Sequence, residues 1–157
     1  MKGTRVGIGI FDLCSRQSGN SISVKRKKEL TGRSWPNGCH VAEVEIDAET
    51  GEVRLDRYVS VDDVGNTVNP MIVHGQVQGG IASGLGQAVL ERTEYDASGQ
   101  LLSGSYMDYA LPRADDMPSI SGSLFEKAPC LTNPLGAKGT GEIGAVAGPP
   151  AIVHAVI

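Results

Sequence analysis

Five glycines stand inside one apolar stretch, and that conflict limits what this chain can fold into. Val73, Val77, Ile81, Leu85 and Val89 recur every four residues, with Ile72 and Ala88 beside them. That is the apolar face of a helix. Asn69-Pro70 supplies the start, with Asn as the N-terminal cap and Pro in the first helical position. The spacing predicts a helix over 70–90. Yet Gly75, Gly79, Gly80, Gly84 and Gly86 fall in the same span. Each interior glycine costs about 1 kcal/mol relative to alanine, so five would melt an isolated helix. Close packing of another backbone on the glycine side is the simplest compensation. A GxxxG pairing inside a membrane is excluded by Gln76, Gln78, Ser83 and Gln87. Elsewhere no apolar run approaches the ~18 residues of a membrane span.

Before this helix the pattern changes to period two. Ala42, Val44 and Ile46 alternate with Glu43, Glu45 and Asp47, as in a half-buried strand. Val53, Leu55, Val59 and Val61 give a second strand, with Arg57 interrupting its apolar face. Between them, Ala48-Glu49-Thr50-Gly51-Glu52 is a hairpin turn, because Gly51 takes positive φ without steric cost. Thr93 to Leu102 reads as a second hairpin around Ala97-Ser98-Gly99. Tyr106 to Tyr109 reads as a short strand or turn, and Ile120 to Phe125 as a strand. Residues 128–150 form a long loop rich in Gly and Pro, and Pro149-Pro150 opens a last helix over Ala151–Ile157. With aromatic content at 4%, the core is aliphatic and built on small residues. The fold class is α+β, with β-hairpins packed on a long Gly-rich helix. The chain stops inside an apolar run, which makes it the expected piece of a longer subunit.

The N-terminal part is weakly patterned. Val6-Gly-Ile8-Gly-Ile10-Phe11 reads as a strand and Ser15 to Ser23 as a polar loop. Residues 1–36 hold eight Lys/Arg against two Asp/Glu, net +6, and residues 37–157 hold six against sixteen, net -10. The run Lys25-Arg26-Lys27-Lys28 lacks interleaved aromatics, so it reads as a solvated loop and not as a nucleic-acid site. Cys14, Cys39 and Cys130 are odd in number and widely spaced. They suit neither a disulfide framework nor a zinc or iron–sulfur site, and a reducing, cytoplasmic setting fits them best.

One segment concentrates chemistry: Asn133-Pro134-Leu135-Gly136-Ala137-Lys138-Gly139-Thr140-Gly141-Glu142-Ile143-Gly144. A long loop inside a compact domain is uncommon unless functional. This one sets a single carboxylate, Glu142, among glycines that let backbone approach a bulky ligand. Partial desolvation there would raise its pKa toward that of a general base. The GxGxxG at Gly139, Gly141 and Gly144 is not a dinucleotide fingerprint, because no strand ends before it and Glu142 stands where pyrophosphate would lie. Lys138 precedes the glycines, so no Walker A loop is present either. Gln76 shares a helix side with Ile72, Val73 and Gly80 and is a candidate for bonding a polar heterocycle, whereas Gln78 reads as exposed. His40, His74 and His154 are far apart and read as core or surface residues. Asp62-Asp63 and Asp115-Asp116 read as solvated loop and capping positions.

Several segments together resemble one family. They are Cys39-His40-Val41-Ala42-Glu43-Val44-Glu45-Ile46-Asp47, Glu49-Thr50-Gly51-Glu52-Val53, Val61-Asp62-Asp63-Val64-Gly65 and Val68-Asn69-Pro70. They continue with Gly75-Gln76-Val77-Gln78-Gly79-Gly80, Gly84-Leu85-Gly86-Gln87-Ala88, Met107-Asp108-Tyr109-Ala110-Leu111-Pro112, Asn133-Pro134 and Gly136 to Glu142. In this order they resemble the second molybdopterin-binding domain of the xanthine dehydrogenase, aldehyde oxidase and carbon monoxide dehydrogenase family. The large subunits of bacterial aerobic carbon-monoxide-dehydrogenase-like proteins look most similar. The resemblance covers about residues 38–157, as part of that domain, while residues 1–37 are a weakly matching basic segment.

The resemblance implies roles. Glu142 falls on the family's active-site glutamate, the general base toward the metal's hydroxyl or water ligand. Gln76 falls on the glutamine that hydrogen-bonds the pyranopterin, and the backbone of Gly139, Thr140 and Gly141 lies beside the molybdenum. No residue of the chain is itself a metal ligand. The implied reaction is oxidation of carbon monoxide, an aldehyde or an N-heterocycle with water-derived oxygen. The implied cofactor is molybdenum–molybdopterin in its cytosine dinucleotide form. The implied partners are the rest of the large subunit, a small [2Fe-2S] subunit and an FAD-binding medium subunit, with a small-molecule substrate. Gln78 stands where bacterial relatives often have His, and His154 where Asn is usual. On this reading the isolated chain binds no cofactor and is inactive. The alternative is a non-catalytic standalone remnant acting as a small binding module.

Overall fold

The computed structural model describes residues 7–29 and 31–157, and Val6 lies outside them. The elements are α1 (Ile10–Ser15), β1 (Asn37–Ile46), β2 (Val53–Asp63), α2 (Pro70–Leu85), β3 (Ile120–Leu124) and α3 (Ile143–Val156). The three strands form one sheet in the order β1-β2-β3, antiparallel between β1 and β2 and parallel between β2 and β3. The two long helices pack on each other, and α3 also packs on β1. At the N-terminus the expected strand is instead the short helix α1, which buries no residue. Its Gly-Ile alternation has no partner strand among the described residues to make it a ladder.

The β1–β2 hairpin forms where the alternation placed it, and Gly51 turns it at φ 75°. Its inward face differs from the expected one. Glu43 pairs with Arg57 but Val44 pairs with Leu55, so Asp56 is an extra residue that bulges out of β2. A bulge shifts the phase of alternation by one. Leu55 points inward on one side of it and Tyr58, Ser60 and Asp62 on the other. Val59 and Val61, expected on the apolar face, are 38% and 45% exposed on the opposite side.

Helix α2 begins as its cap predicts: the Asn69 side chain accepts a hydrogen bond from Ile72 N–H, and Pro70 opens the first turn. Val73, Val77, Ile81 and Leu85 are buried along one face. The α-helix ends at Leu85, five residues before the spacing suggested, and continues as one π turn over Gly86–Leu90. That turn is closed by Glu91 N–H donating to Gly86 C=O at 2.7 Å. Gly86 is enclosed by Glu91 and Pro112, where no Cβ fits.

The last helix starts eight residues before the expected Ala151. Pro149 and Pro150 lie inside α3, not at its head. Interior prolines remove helix hydrogen bonds and clash with the preceding turn. The cause of the early start is tertiary. A Cβ on Gly80 would sit 2.7 Å from Ala145 N and 2.9 Å from Gly144 Cα, and one on Gly84 would sit 2.8 Å from the Pro149 ring. Two helix backbones touch along Gly80, Gly84, Gly144 and Gly148, and this contact holds α3 helical from Ile143. Gly148 also spares the position before Pro149 the Cβ clash that disfavours helix there.

The core cluster joins sheet to helices through Leu55, Tyr58, Val77, Ile81, Leu85 and Ile152, with Ala42, Val44, Ala88 and Ala151 packed against it. It is aliphatic and small-residue rich, with Tyr58 as its one aromatic side chain. The second expected hairpin is reduced to a turn. Tyr95 and Leu101 form an isolated bridge, and Asp96 Oδ1 accepts from Ser98 and Gln100 N–H groups. Residues 106–108 are turn and Tyr109 a bend, and β3 occupies the third expected strand.

Candidate functional site

The Gly-rich loop is fastened at both ends and open between. At its near end Lys138 N–H donates to Val64 C=O at 2.8 Å, Gly65 bridges Ala137, and Asn66 N–H donates to Gly136 C=O at 2.9 Å. At its far end Gly144 sits against the Val77 carbonyl and the Ile81 nitrogen of α2. Between these, a Cβ on Gly139 or Gly141 would meet nothing within 4 Å. Glu142 follows as the residue that precedes α3, and its side chain is exposed.

Gly139, Gly141 and Glu142 line a cavity of about 680 Å³ whose other walls include Trp35, His40 and Asp62. Glu142 is therefore not the lone carboxylate that its sequence neighbours suggested. Asp62 and His40, read from sequence as loop and unaccompanied residues, form a buried pair. His40 Nε2 lies 2.9 Å from Asp62 Oδ1, and the side chains are 2% and 1% exposed. His40 Nδ1 lies 2.9 Å from the Tyr58 hydroxyl. With Asp62 ionised, Nε2–H donates to it and Tyr58 O–H donates to Nδ1. Burial, and then the Asp62 charge, push the Tyr58 phenol up to about 12. Asp62 Oδ2 has no hydrogen-bond partner among the described residues. Among the described residues, no Lys or Arg lines the cavity.

Asp63 is turned the other way from Asp62. Its Oδ1 accepts from Gly65 N–H at 2.9 Å, a capping role, and its Oδ2 holds Lys138 Nζ at 2.5 Å. The Lys138 hydrogen bond keeps its carboxyl below the usual range. Thr140 faces a second, smaller cavity beside Ile72, Val73 and Lys138. Gln76 lines neither cavity. It is exposed on α2, as Gln78 is, and it sits one residue before Val77, whose carbonyl meets Gly144. Gly75 and Gly79, on either side of Gln76, would meet nothing if given a Cβ. The α3 contact explains Gly80 and Gly84 but leaves these two open.

The sequence signal that would have found His40 and Asp62 is their register. Gly38 pairs with Asp62 and His40 with Ser60, which puts both polar side chains on the inward face once the bulge is counted. Among the described residues no cluster of three metal-ligating side chains occurs, and no helix is long and apolar enough to cross a membrane. The three cysteines are free.

The site thus consists of a small sheet backed by two glycine-contacting helices, with an open Gly-rich loop at the edge of a cavity. Comparison with known proteins gives the class: the chain belongs to the molybdopterin cofactor-binding domain family, whose model matches residues 13–118. The match ends before the Gly139–Glu142 loop. It is similar to the 6-hydroxypseudooxynicotine dehydrogenase complex subunit gamma of Paenarthrobacter nicotinovorans, 37% identical over 123 residues, which are 78% of this chain and 16% of that protein. It is similar to the carbon monoxide dehydrogenase large chain of Afipia carboxidovorans, 36% identical over 78% of this chain and 15% of that one. The crystal structure of quinoline 2-oxidoreductase from Pseudomonas putida 86 superposes with a TM-score of 0.74 at 45% identity, covering 77% of this chain and 15% of that one. The relatives of this family are molybdenum-dependent oxidoreductases. The chain spans about 15% of the length of the relatives it matches.

Proposed function

We propose that this chain is part of the large subunit of a molybdenum hydroxylase, within its second molybdopterin-binding domain, and forms one wall of the cofactor and substrate site. The observation that carries the reading is the set of glycines left open. Gly139 and Gly141 beside Glu142, and Gly75 and Gly79 beside Gln76, face space that nothing among the described residues fills. Glycine in a helix interior is unfavourable. Open glycines on two adjoining segments fit a bulky group lying against both, and the residues present suit a pterin. Gln76 offers an amide that both donates and accepts, and the loop offers backbone N–H groups without side chains in the way.

When bound, molybdenum–molybdopterin, in its cytosine dinucleotide form, supplies a two-electron acceptor and a site for water-derived oxygen. The chain's own residues do the rest. Gln76 orients the pterin through its amide. The backbone of Gly139, Thr140 and Gly141 lets the cofactor come close to Glu142. The Glu142 carboxylate takes the proton from the attacking oxygen as that oxygen adds to the substrate carbon. Glu142 is exposed in this chain, so the water exclusion that makes a carboxylate an effective base comes from the rest of the subunit. The substrate is carbon monoxide, an aldehyde or an N-heterocycle. Electrons leave through a [2Fe-2S] small subunit and an FAD-binding medium subunit.

The test is Glu142→Gln in the purified intact subunit complex. Loss of a positioned general base lowers turnover by about 10²–10⁴-fold. Turnover should fall by that amount with molybdenum content unchanged. Full turnover in the variant would remove Glu142 from the chemistry.

A further inference from the structure

Lys138 stands one residue before Gly139 and four before Glu142. Its ammonium is nearly withdrawn from water, with the Lys138 and Asp63 side chains 10% and 14% exposed and Nζ at 2.5 Å from Oδ2. The carboxylate is itself fixed, since Oδ1 accepts from Gly65 N–H. Charge attraction at this depth is weakly screened and the bond is charge-assisted. The backbone around it is tightly constrained. Gly65 has φ 64° and Gly136 φ 69°, and a Cβ on Gly65 would run into the Gly136 carbonyl, 3.2 Å from its carbon. Residues 135–138 are thus sewn to the end of β2, seventy-five positions away from Lys138 at Asp63. From Gly139 to Gly141 there is no comparable fastening. The next fixed point is Glu142 itself, whose C=O accepts from Val146 N–H at 2.9 Å as the residue that opens α3.

We propose that the Asp63–Lys138 ion pair is a positioning latch for the loop that leads into Glu142: it fixes the near end of the Gly139–Gly141 span, whose far end α3 holds at Glu142, so that the open backbone beside the carboxylate stays at the cavity edge. The proposal rests on the reading of Glu142 as the base. Neither Asp63 nor Lys138 touches the reacting atoms. Backbone hydrogen bonds and this ion pair together hold residues 136–138 to the segment that follows β2.

The experiment compares Lys138→Met, Lys138→Arg and the double variant Asp63→Asn/Lys138→Met in the intact protein. The double variant removes both charges, which spares the fold an unpaired buried ion. Hydrogen exchange is measured on the cofactor-free protein, and kcat and KM on the loaded one. Displacement of a reacting group by about 1 Å costs on the order of 10²-fold in rate. The expected result for Lys138→Met and for the double variant is at least tenfold faster exchange at the backbone amides of Asn66 and residue 138, which tie the near end of the span to Gly136 and Val64, with β1, β2 and α2 unchanged. In both, kcat should fall by about 100-fold at constant KM, and Lys138→Arg should restore most of it. Unchanged exchange at both amides in the double variant overturns the latch, whatever the activity. Faster exchange there, together with full activity in Glu142→Gln, leaves the latch standing and sinks the base assignment instead.

Discussion

Gly80 of α2 and Gly144 of α3 bring two helix backbones into direct contact. A Cβ on Gly80 would lie 2.9 Å from Gly144 Cα, and one on Gly144 would lie 2.6 Å from Ile81 N. Both contacts are with backbone, which cannot rotate away. Gly75 and Gly79 on the same helix meet nothing.

The first prediction is a split among the glycines of one helix. Gly80→Ala and Gly144→Ala force the helices apart and destabilise by about 1–3 kcal/mol or more. Gly75→Ala gains helix propensity without a clash and stabilises by roughly 0.5–1 kcal/mol. Urea unfolding of the four proteins, wild type included, measures this. Equal effects at all three positions would mean that α2 and α3 do not touch as described.

Tyr58 gives an alkaline prediction. Its phenol is raised from 10.0 to about 12 by burial and then by Asp62. Between those values the unfolded chain has lost the phenolic proton and the folded chain keeps it. The folded state therefore binds more protons, and stability falls as pH rises. The loss is on the order of 3 kcal/mol across that window. Tyr58→Phe costs about 1 kcal/mol near neutrality, through the hydrogen bond to His40, and abolishes this part of the alkaline loss. Unfolding at pH 9 and near pH 12, wild type against variant, checks it. A parallel decline in both proteins would refute the assignment.

Asp63 gives the acid counterpart. Its carboxyl is held below its ordinary value first by Lys138 and also by Gly65 N–H. A depressed carboxyl contributes stability that is present above its unfolded value and lost as pH falls through the folded one. Asp63→Asn should destabilise most at neutral pH, with the difference from wild type shrinking below about pH 4. A difference that is constant from pH 7 to pH 3 would show that the ion pair contributes nothing.

What the sequence made legible follows from which signals are local. The Asn69-Pro70 cap and the four-residue spacing of Val73 to Leu85 act within one helix, and α2 appears where they say. The β1–β2 hairpin depends on Gly51 and on alternation close by. The bulge at Asp56 is a property of two strands in register, so the inward turn of Ser60 and Asp62 could not be read from β2 alone. The start of α3 failed for a similar reason. Pro149-Pro150 is locally a start signal, but glycine contacts with a helix sixty residues earlier override it. In the site, Glu142 stood out as an acid among glycines, while His40, Asp62 and the Lys138–Asp63 pair needed the fold to bring them together.

Gln76 and Glu142 should separate holding the cofactor from using it. Gln76 is exposed between two open glycines and lies apart from the cavity that Glu142 lines. Its amide can bond a pterin edge, but it is in no position to take a proton from an attacking oxygen. A neutral hydrogen bond contributes about 0.5–1.5 kcal/mol, so Gln76→Ala should weaken cofactor retention by up to about tenfold. Turnover per bound molybdenum should stay the same. Molybdenum content after gel filtration, set beside kcat per molybdenum, reads both quantities on one sample. Full metal content with lowered kcat would move Gln76 from the cofactor to the reaction. Full content with unchanged kcat would leave the open face of α2 to some other occupant.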